Sequence, residues 1–398
     1  MTIRVAVDAT PLLDQPTGVG GVTRALLERL GRSAEVQPIA FSVSWHGRGR
    51  LPELVPDGVA VAGRPMAARP LRWAWGHGDW PPIELWTGPV EVVHGPNFVV
   101  PPSRRAARVV TVHDLTAVHH PELCTADVLH YPPLLRRAVA AGSWVHVPSA
   151  AVAGEVVEYL GADTDRVVVV ANGVDEVPAA PAGAGRARAG RKRYVLALGT
   201  LEPRKDLPSL VAAFDLLAQE DPDIGLVIAG ADGWGAEAVH TAVANARHRD
   251  RIRLTGWVDG QARAALLRDA TVLAYPSLYE GFGLPPLEAM AVGVPVVSTT
   301  VGSIPEVLGD AAVLVGPHDP TALATALARV LTDDDHRAEL VRRGSERVRR
   351  YSWDAFADGI IDLYRRAAGA PGGAPSTAAG PSPGHRCSPH RRPPSRGR

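Results

Sequence analysis

"LYEGFGLPPLEAMAVGVPVV", residues 278 to 297, decides the fold. Two carboxylates, Glu280 and Glu288, bracket a run of Gly, Phe, Gly, Leu and two prolines. Pro285 and Pro286 belong in the first turn of a helix, where a missing N–H breaks no bond. Gly281 and Gly283 allow backbone amides to approach a ligand closely. "ATVLAYPS" (270–277) before the loop and "VPVVSTT" (294–300) after the helix read as strands apolar on both faces. Such strands separated by helices belong to a parallel sheet covered on both sides. In that architecture ligands lie beyond the carboxyl ends of the strands, where helix N-termini point. Glu280 falls on this edge and Glu288 about one turn inside the helix. The spacing alone is worthless, because any chain holds many such pairs. The frame around it gives it meaning: two clamps on one ligand rather than a plain surface turn.

The same pattern extends outward. "YVLALGT" (194–200), "DIGLVIAG" (223–230), "RIRLTGWV" (251–258) and "AAVLVG" (311–316) continue the strand series. Leu207, Leu210, Val211, Phe214 and Leu217 fall at helical offsets between the first two. The first half is built alike with looser spacing: strands at 3–10, 90–96, 107–114 and 143–149, helices at 22–30 and 149–160. The expected fold is α/β, with two Rossmann-like domains in tandem. Residues 1–176 form the first domain, 177–193 a Pro/Gly/Ala/Arg linker, and 194–350 the second. A helix over 351–369 starts at the N-cap Ser352 and is expected to pack back toward the first domain. Residues 370–398 are Pro, Gly, Ser and Arg without an acidic residue, a composition that favours disorder.

Bulk composition narrows the classes. In 398 residues, Lys plus Arg and Asp plus Glu number 42 each, so no global field attracts nucleic acid or an anionic membrane. The two cysteines, Cys124 and Cys387, exclude a disulfide framework and fit a reducing compartment. The N-terminus lacks a signal-peptide pattern and no run reaches the ~20 apolar residues of a membrane span. The expected location is therefore cytoplasmic.

Three further stretches carry candidate chemistry. In "LGTLEPRKDLPSL" (198–210), Arg204 and Lys205 precede a helix N-terminus, although basic side chains ordinarily favour C-termini. An anion between the cations and the helix, most simply a diphosphate, explains the placement. "QPTGVGGVTRALL" (15–27) is a glycine-rich loop before a helix, an incomplete dinucleotide fingerprint with Thr23 at the third glycine position. "VVTVHD" (109–114) puts His113 and Asp114 at a strand's carboxyl end. Asp163-Thr164-Asp165 precedes a strand and reads as a turn. Neither a His-x-x-x-His pair nor a paired cysteine suggests a metal site. Trp73, Trp75, Trp80 and Trp86 crowd 71–86, as an acceptor groove, a membrane-interface contact or packing beneath a loop.

These motifs together resemble the retaining glycosyltransferases of family 4, which have the GT-B fold of two Rossmann-like domains facing each other across a cleft. "ALGTLEPRKDL", "VIAGADGWG", "LTGWVD" and "GSIPEVLGDAAVLV" join the opening stretch in carrying the likeness, with "DATPL", "GVGGVTR", "TVHDL" and "VVANGVD" in the first half. The resemblance implies transfer of a hexose from a nucleotide-diphosphate sugar to an acceptor hydroxyl with retained configuration. It implies that Glu280 holds the hexose hydroxyls and Glu288 the ribose. The amides of Gly281, Phe282 and Gly283, with Leu284, would meet the donor. Lys205, assisted by Arg204, would neutralise the diphosphate. His113 would sit at the reacting centre, and Gly20 and Gly21 would close over the phosphates. Many relatives carry Arg where this chain has Thr200; the adjacent Arg204 of "EPRK", found in a subgroup with mannosyltransferases, would supply that charge. The same subgroup leans the donor toward GDP-mannose. No cofactor or metal is implied. The acceptor would be a carbohydrate, a lipid-linked or a small molecule, with no nucleic-acid partner, no transmembrane segment and room for peripheral contact at the inner membrane face. A nucleotide-sugar epimerase and a non-catalytic nucleotide-sugar binding protein share the architecture and stay open.

Overall fold

Short Val-, Ile- and Leu-rich runs form the strands, and the central ones are buried because helices cover both faces of the sheet. In a computed structural model describing residues 2–13, 18–45 and 47–369, they assemble two parallel sheets. The first contains β1 (Ile3–Asp8), β2 (Val36–Phe41), β3 (Ala60–Val61), β4 (Val92–Gly95), β5 (Ala107–Thr111), β6 (Trp144–Val147) and β7 (Val167–Val169), in the order β3-β2-β1-β4-β5-β6-β7. The second contains β8 (Arg193–Leu198), β9 (Ile224–Ala229), β10 (Ile252–Leu254), β11 (Val272–Tyr275), β12 (Val296–Thr299) and β13 (Val313–Val315), in the order β10-β9-β8-β11-β12-β13. In both, the strand order reverses next to the first strand, which creates the crevice where doubly wound folds bind ligands. The expected α/β class with two Rossmann-like domains is what the chain adopts.

Several local expectations change. β2 escapes the apolar-run search because Gln37 and Pro38 interrupt "VQPIAF". The helix expected from 22 begins at Gly18 and runs to Arg32. The segment 177–193 is not a bare linker: Ala184–Ala189 is helical, with Gly185 and Ala189 buried. A Cβ on Gly185 would lie 2.1 Å from the Ala265 carbonyl oxygen, so this helix is docked against the helix Gly260–Asp269. The tail 370–398, with Cys387, lies outside the described residues.

The last helix, Trp353–Ala367, packs Phe356, Ile360, Leu363 and Tyr364 into the core of the first sheet with Val5, Val7 and Leu27. Chain from the second half thus completes the first domain. Tyr364 also ends a buried polar chain. His146 Nε2 faces the Val170 carbonyl at 3.0 Å and must therefore donate. Its Nδ1 then accepts from Thr111 Oγ1 at 2.9 Å, Thr111 accepts from His94 Nε2 at 2.8 Å, and His94 Nδ1 accepts from the Tyr364 hydroxyl at 2.6 Å. With both histidines neutral, this one carbonyl sets the direction of every bond in the row. Burial agrees: it lowers His146 to about 4 and His94 well below its ordinary value.

Candidate active site

The carboxyl ends of β8 and β11 carry the charged centre. After β8, Pro203–Lys205 makes a single 3-10 turn before the helix Leu207–Glu220. After β11, residues 276–283 loop over to the helix Leu284–Ala291. Glu280 is buried at the meeting point, 7% exposed. Its Oε1 accepts from Lys205 Nζ at 2.7 Å and its Oε2 pairs with Arg204 Nη1 at 2.7 Å. Burial alone would raise the Glu280 carboxyl; Arg204 and Lys205 outweigh it and hold it at about 2. Burial draws the Lys205 ammonium below the ordinary lysine range while Glu280 keeps it protonated. Lys205 also donates to the Tyr275 hydroxyl at 2.7 Å and stands 4.4 Å from that ring's centroid. Arg204 Nη1 donates to the Tyr279 carbonyl at 2.9 Å. Each cation keeps at least one N–H for a ligand, since ammonium has three and guanidinium five.

A cavity of about 450 Å³ opens on this cluster. Arg204, Lys205, Glu280, Gly281, Phe282, Gly283, Leu284, Glu288 and His113 all line it. Glu288 points back from the helix 284–291 and is ion-paired with Arg263. Gly20 and Gly21 behave differently. They lie inside the helix Gly18–Arg32 rather than in a loop, and Gly18 and Val19 reach the cavity in their place. The helix starts a turn earlier than its apolar stripe, which is why periodicity misplaced them; residues 15–17 lie outside the described residues.

The glycines of the opening stretch also meet demands of the backbone itself. A Cβ on Gly281 would sit 1.8 Å from the His113 carbonyl oxygen, so this position must be bare for the two domains to meet. Gly283 has φ +101, a left-handed conformation at the N-cap that favours glycine. The Phe282 side chain is buried and edge-on to Tyr351. His113 is likewise held by its surroundings: Nε2 donates to the Pro96 carbonyl at 2.7 Å, and burial lowers its pKa. It is a neutral imidazole with Nδ1 as acceptor.

The domains are fastened directly across the cleft. Ser149 Oγ donates to the Gly281 carbonyl at 3.0 Å. The Glu306 carboxylate accepts from the Ala150 and Ala151 amides at 2.9 Å each, at the N-terminus of the helix Ala150–Leu160. The Tyr279 hydroxyl donates to Glu155 and accepts from the Leu115 amide at 3.1 Å.

Sequence reading missed several of these groups. Tyr275, Tyr279 and Arg263 look like ordinary strand, loop and helix residues until the fold gathers them. Ser303 fixes the Glu280 carbonyl from its amide at 2.9 Å and its hydroxyl at 3.1 Å. Asn172, 4% exposed, lines the cavity, and its Oδ1 lacks a hydrogen bond among the described residues. A buried, unsatisfied carbonyl facing a cavity signals a ligand contact, but only coordinates reveal it. Among the described residues no group of three or more His, Cys, Asp or Glu could hold a metal ion, and no helix is long and apolar enough to cross a membrane.

Chemically, a carboxylate fixed near pKa 2 is no proton donor at neutral pH. The site offers fixed cations, a helix N-terminus and carboxylates able to accept from hydroxyls, which suit electrostatic stabilisation of an anionic leaving group.

Comparison with known proteins points the same way. Residues 184–347 match the model of the family described as glycosyl transferases group 1. The O-antigen chain mannosyltransferase B of Escherichia coli is 28% identical over 91% of this chain and 100% of its own length. The D-inositol 3-phosphate glycosyltransferase of Xylanimonas cellulosilytica is 32% identical over 74% of this chain and 70% of its own. Among solved structures, Anabaena Alr3699/HepE in complex with UDP-glucose superposes with TM-score 0.70 at 16% identity, covering 92% of this chain and 100% of that one.

Proposed function

The chain belongs to the group 1 glycosyl transferases, and from that premise we propose that it moves a hexose from a nucleotide-diphosphate sugar to an acceptor hydroxyl with retained anomeric configuration. The observation that carries this reading is the Arg204–Glu280–Lys205 cluster at one helix N-terminus, sharing a cavity with Glu288. The diphosphate takes the free N–H groups of Arg204 and Lys205 and the amides that begin the helix 207–220. As the anomeric bond breaks, charge grows on the departing phosphate, and the prepositioned cations lower that barrier. In this reading Glu288 holds the ribose and Glu280 the hexose. The neutral His113 offers Nδ1 as an acceptor beside the reacting carbon. Because the protein's own cations carry the charge, the reaction needs no metal.

GDP-mannose is the donor we favour. The mannosyltransferase among the relatives supports it, while the fold neighbour that holds UDP-glucose supports a uridine sugar. Thermal-shift titration with GDP-, UDP- and dTDP-sugars decides between them, because the true donor raises Tm by linkage. Lys205→Ala tests the chemistry. We expect transfer to fall by about 10²–10³-fold, the scale of losing one electrostatic donor in an acyl-transfer site, with circular dichroism unchanged. Transfer at the wild-type rate overturns the diphosphate assignment. EDTA is expected to leave the wild-type rate unaltered, and a rate abolished by EDTA and restored by magnesium would refute metal-free transfer.

A further inference from the structure

A second, smaller pocket of about 90 Å³ lies on the first domain, lined by Asp8, Thr10, Arg72, Trp75, Asn97 and Tyr131 among others. Its floor is apolar: Trp75 is buried, with Nε1 donating to the Pro81 carbonyl at 3.0 Å. Its rim is polar and largely unspent. Asp8 ends β1, and Thr10 holds only Oδ1, through the amide at 2.9 Å and the hydroxyl. Among the described residues, Asp8 Oδ2, the Asn97 amide, the Arg72 guanidinium and the Tyr131 hydroxyl make no protein hydrogen bond. Burial raises the Asp8 carboxyl; the hydrogen bonds from Thr10, and to a smaller degree the Arg72 charge, partly offset this.

The loop forming one wall is strained. Phe98 adopts φ +59, unusual for a bulky residue. It is held there by its amide donating to the Thr111 carbonyl at 3.0 Å and by Val99 N donating to the Asn97 carbonyl at 2.7 Å. The strain turns Asn97 into the pocket, and sets the Phe98 ring between Tyr131, stacked at 5.3 Å, and His113, edge-on at 5.9 Å. The Pro96 carbonyl in this loop is the one that fixes the His113 ring. β1, β4 and β5 are consecutive in the sheet, with Val7 level with His94 and Val109, so the pocket at the end of β1 shares the 96–99 loop with the continuation of β5 that carries His113 into the donor cavity.

We propose that this pocket is the acceptor subsite, binding a vicinal diol on the edge of a sugar or cyclitol ring, with Asp8 as hydroxyl acceptor and Asn97 and Arg72 as its donors. The assignment rests on the glycosyltransferase reading above. The volume admits several waters, hence a ring edge, and is too small for a lipid chain. The carboxylate opposes a negatively charged occupant, so an acceptor phosphate stays outside. Phe98 is a positioning residue: it couples the occupied pocket to the His113 ring.

The test uses the full chain, Asp8→Asn and the exposed variant Arg72→Gln, which touches nothing the fold needs. Ligand-observed NMR reports binding of methyl α-D-mannoside and of myo-inositol, each with and without a phosphate group. Thermal shift with GDP and UDP reports the donor site in the same samples. We expect a ring diol to bind the wild type, to bind Asp8→Asn at least about tenfold more weakly, and the nucleotide response to be the same in both. Unchanged diol binding in both variants, or no diol binding to the wild type, overturns the subsite. So does binding confined to phosphorylated probes and lost in Arg72→Gln, which would make it an anion pocket. A wild type that responds to no nucleotide refutes the glycosyltransferase reading instead, and the diol measurement still decides the pocket.

Discussion

Glu280 shows how a residue read as a sugar clamp also holds the site together. Its carboxylate neutralises two partly buried cations that sit 2.7 Å away. Removing one partner of such a group leaves uncompensated buried charge, at a cost of about 3–5 kcal/mol. Glu280→Gln should therefore lower Tm markedly without nucleotide. A nucleoside diphosphate should then raise the variant's Tm more than the wild type's, because its phosphates return the missing negative charge. Scanning fluorimetry measures both, and an equal nucleotide shift in the two proteins would exclude this role. Gly281 makes a sterically simpler case. A methyl there meets the His113 carbonyl oxygen at 1.8 Å, so Gly281→Ala should push the domains apart at a cost of about 1–3 kcal/mol. Nucleotide affinity, which belongs to the second domain, should change far less than transfer rate. A variant with wild-type transfer would mean that the contact yields freely.

At the scale of elements, the cross-cleft fastening depends on helix ends. Glu306 gives its carboxylate to the first two amides of the helix 150–160, where the dipole also favours negative charge. Replacing a side chain that caps a helix costs about 0.5–2 kcal/mol. Glu306→Ala should lower stability by that amount and increase the radius of gyration in solution scattering as the domains part. Scattering identical to wild type would show that Ser149 and Tyr279 suffice. The opening stretch was legible at this scale because its strand, prolines and helix are local signals. The helix at 184–189 was not, since Ala, Gly and Arg show no apolar stripe and only the Ala265 carbonyl explains why Gly185 is bare. The helix 18–32 was half legible: its apolar stripe begins at Val22, and the preceding turn of Gly and Val carries no periodic signal.

The whole molecule depends on its last helix returning to the first sheet. The chain Tyr364–His94–Thr111–His146–Val170 is buried beneath it, and that burial favours neutral histidines. His146 titrates near 4 when folded against an ordinary 6.5. The unfolded state therefore binds more protons between these values, and stability falls as pH drops from about 6.5 to 4. Above that window the contribution is intact, and below it the loss levels off. His146 alone accounts for roughly 3 kcal/mol across the window. Urea denaturation at pH 7 and pH 4.5 measures it. His146→Gln should flatten that pH dependence, and an equally steep fall in the variant would place the acid sensitivity elsewhere.

Apolar runs, glycine loops and prolines determined the two Rossmann-like domains and put the charged motifs on the strands' carboxyl edges, because backbone geometry and burial act over a few residues. Only the tertiary structure decided which side chains meet. It brought Arg204, Lys205 and Glu280 into one cluster from segments 75 residues apart and set Gly281 against His113. Such contacts depend on how whole domains pack, and sequence patterns of period 2 or 3.6 hold no record of that packing.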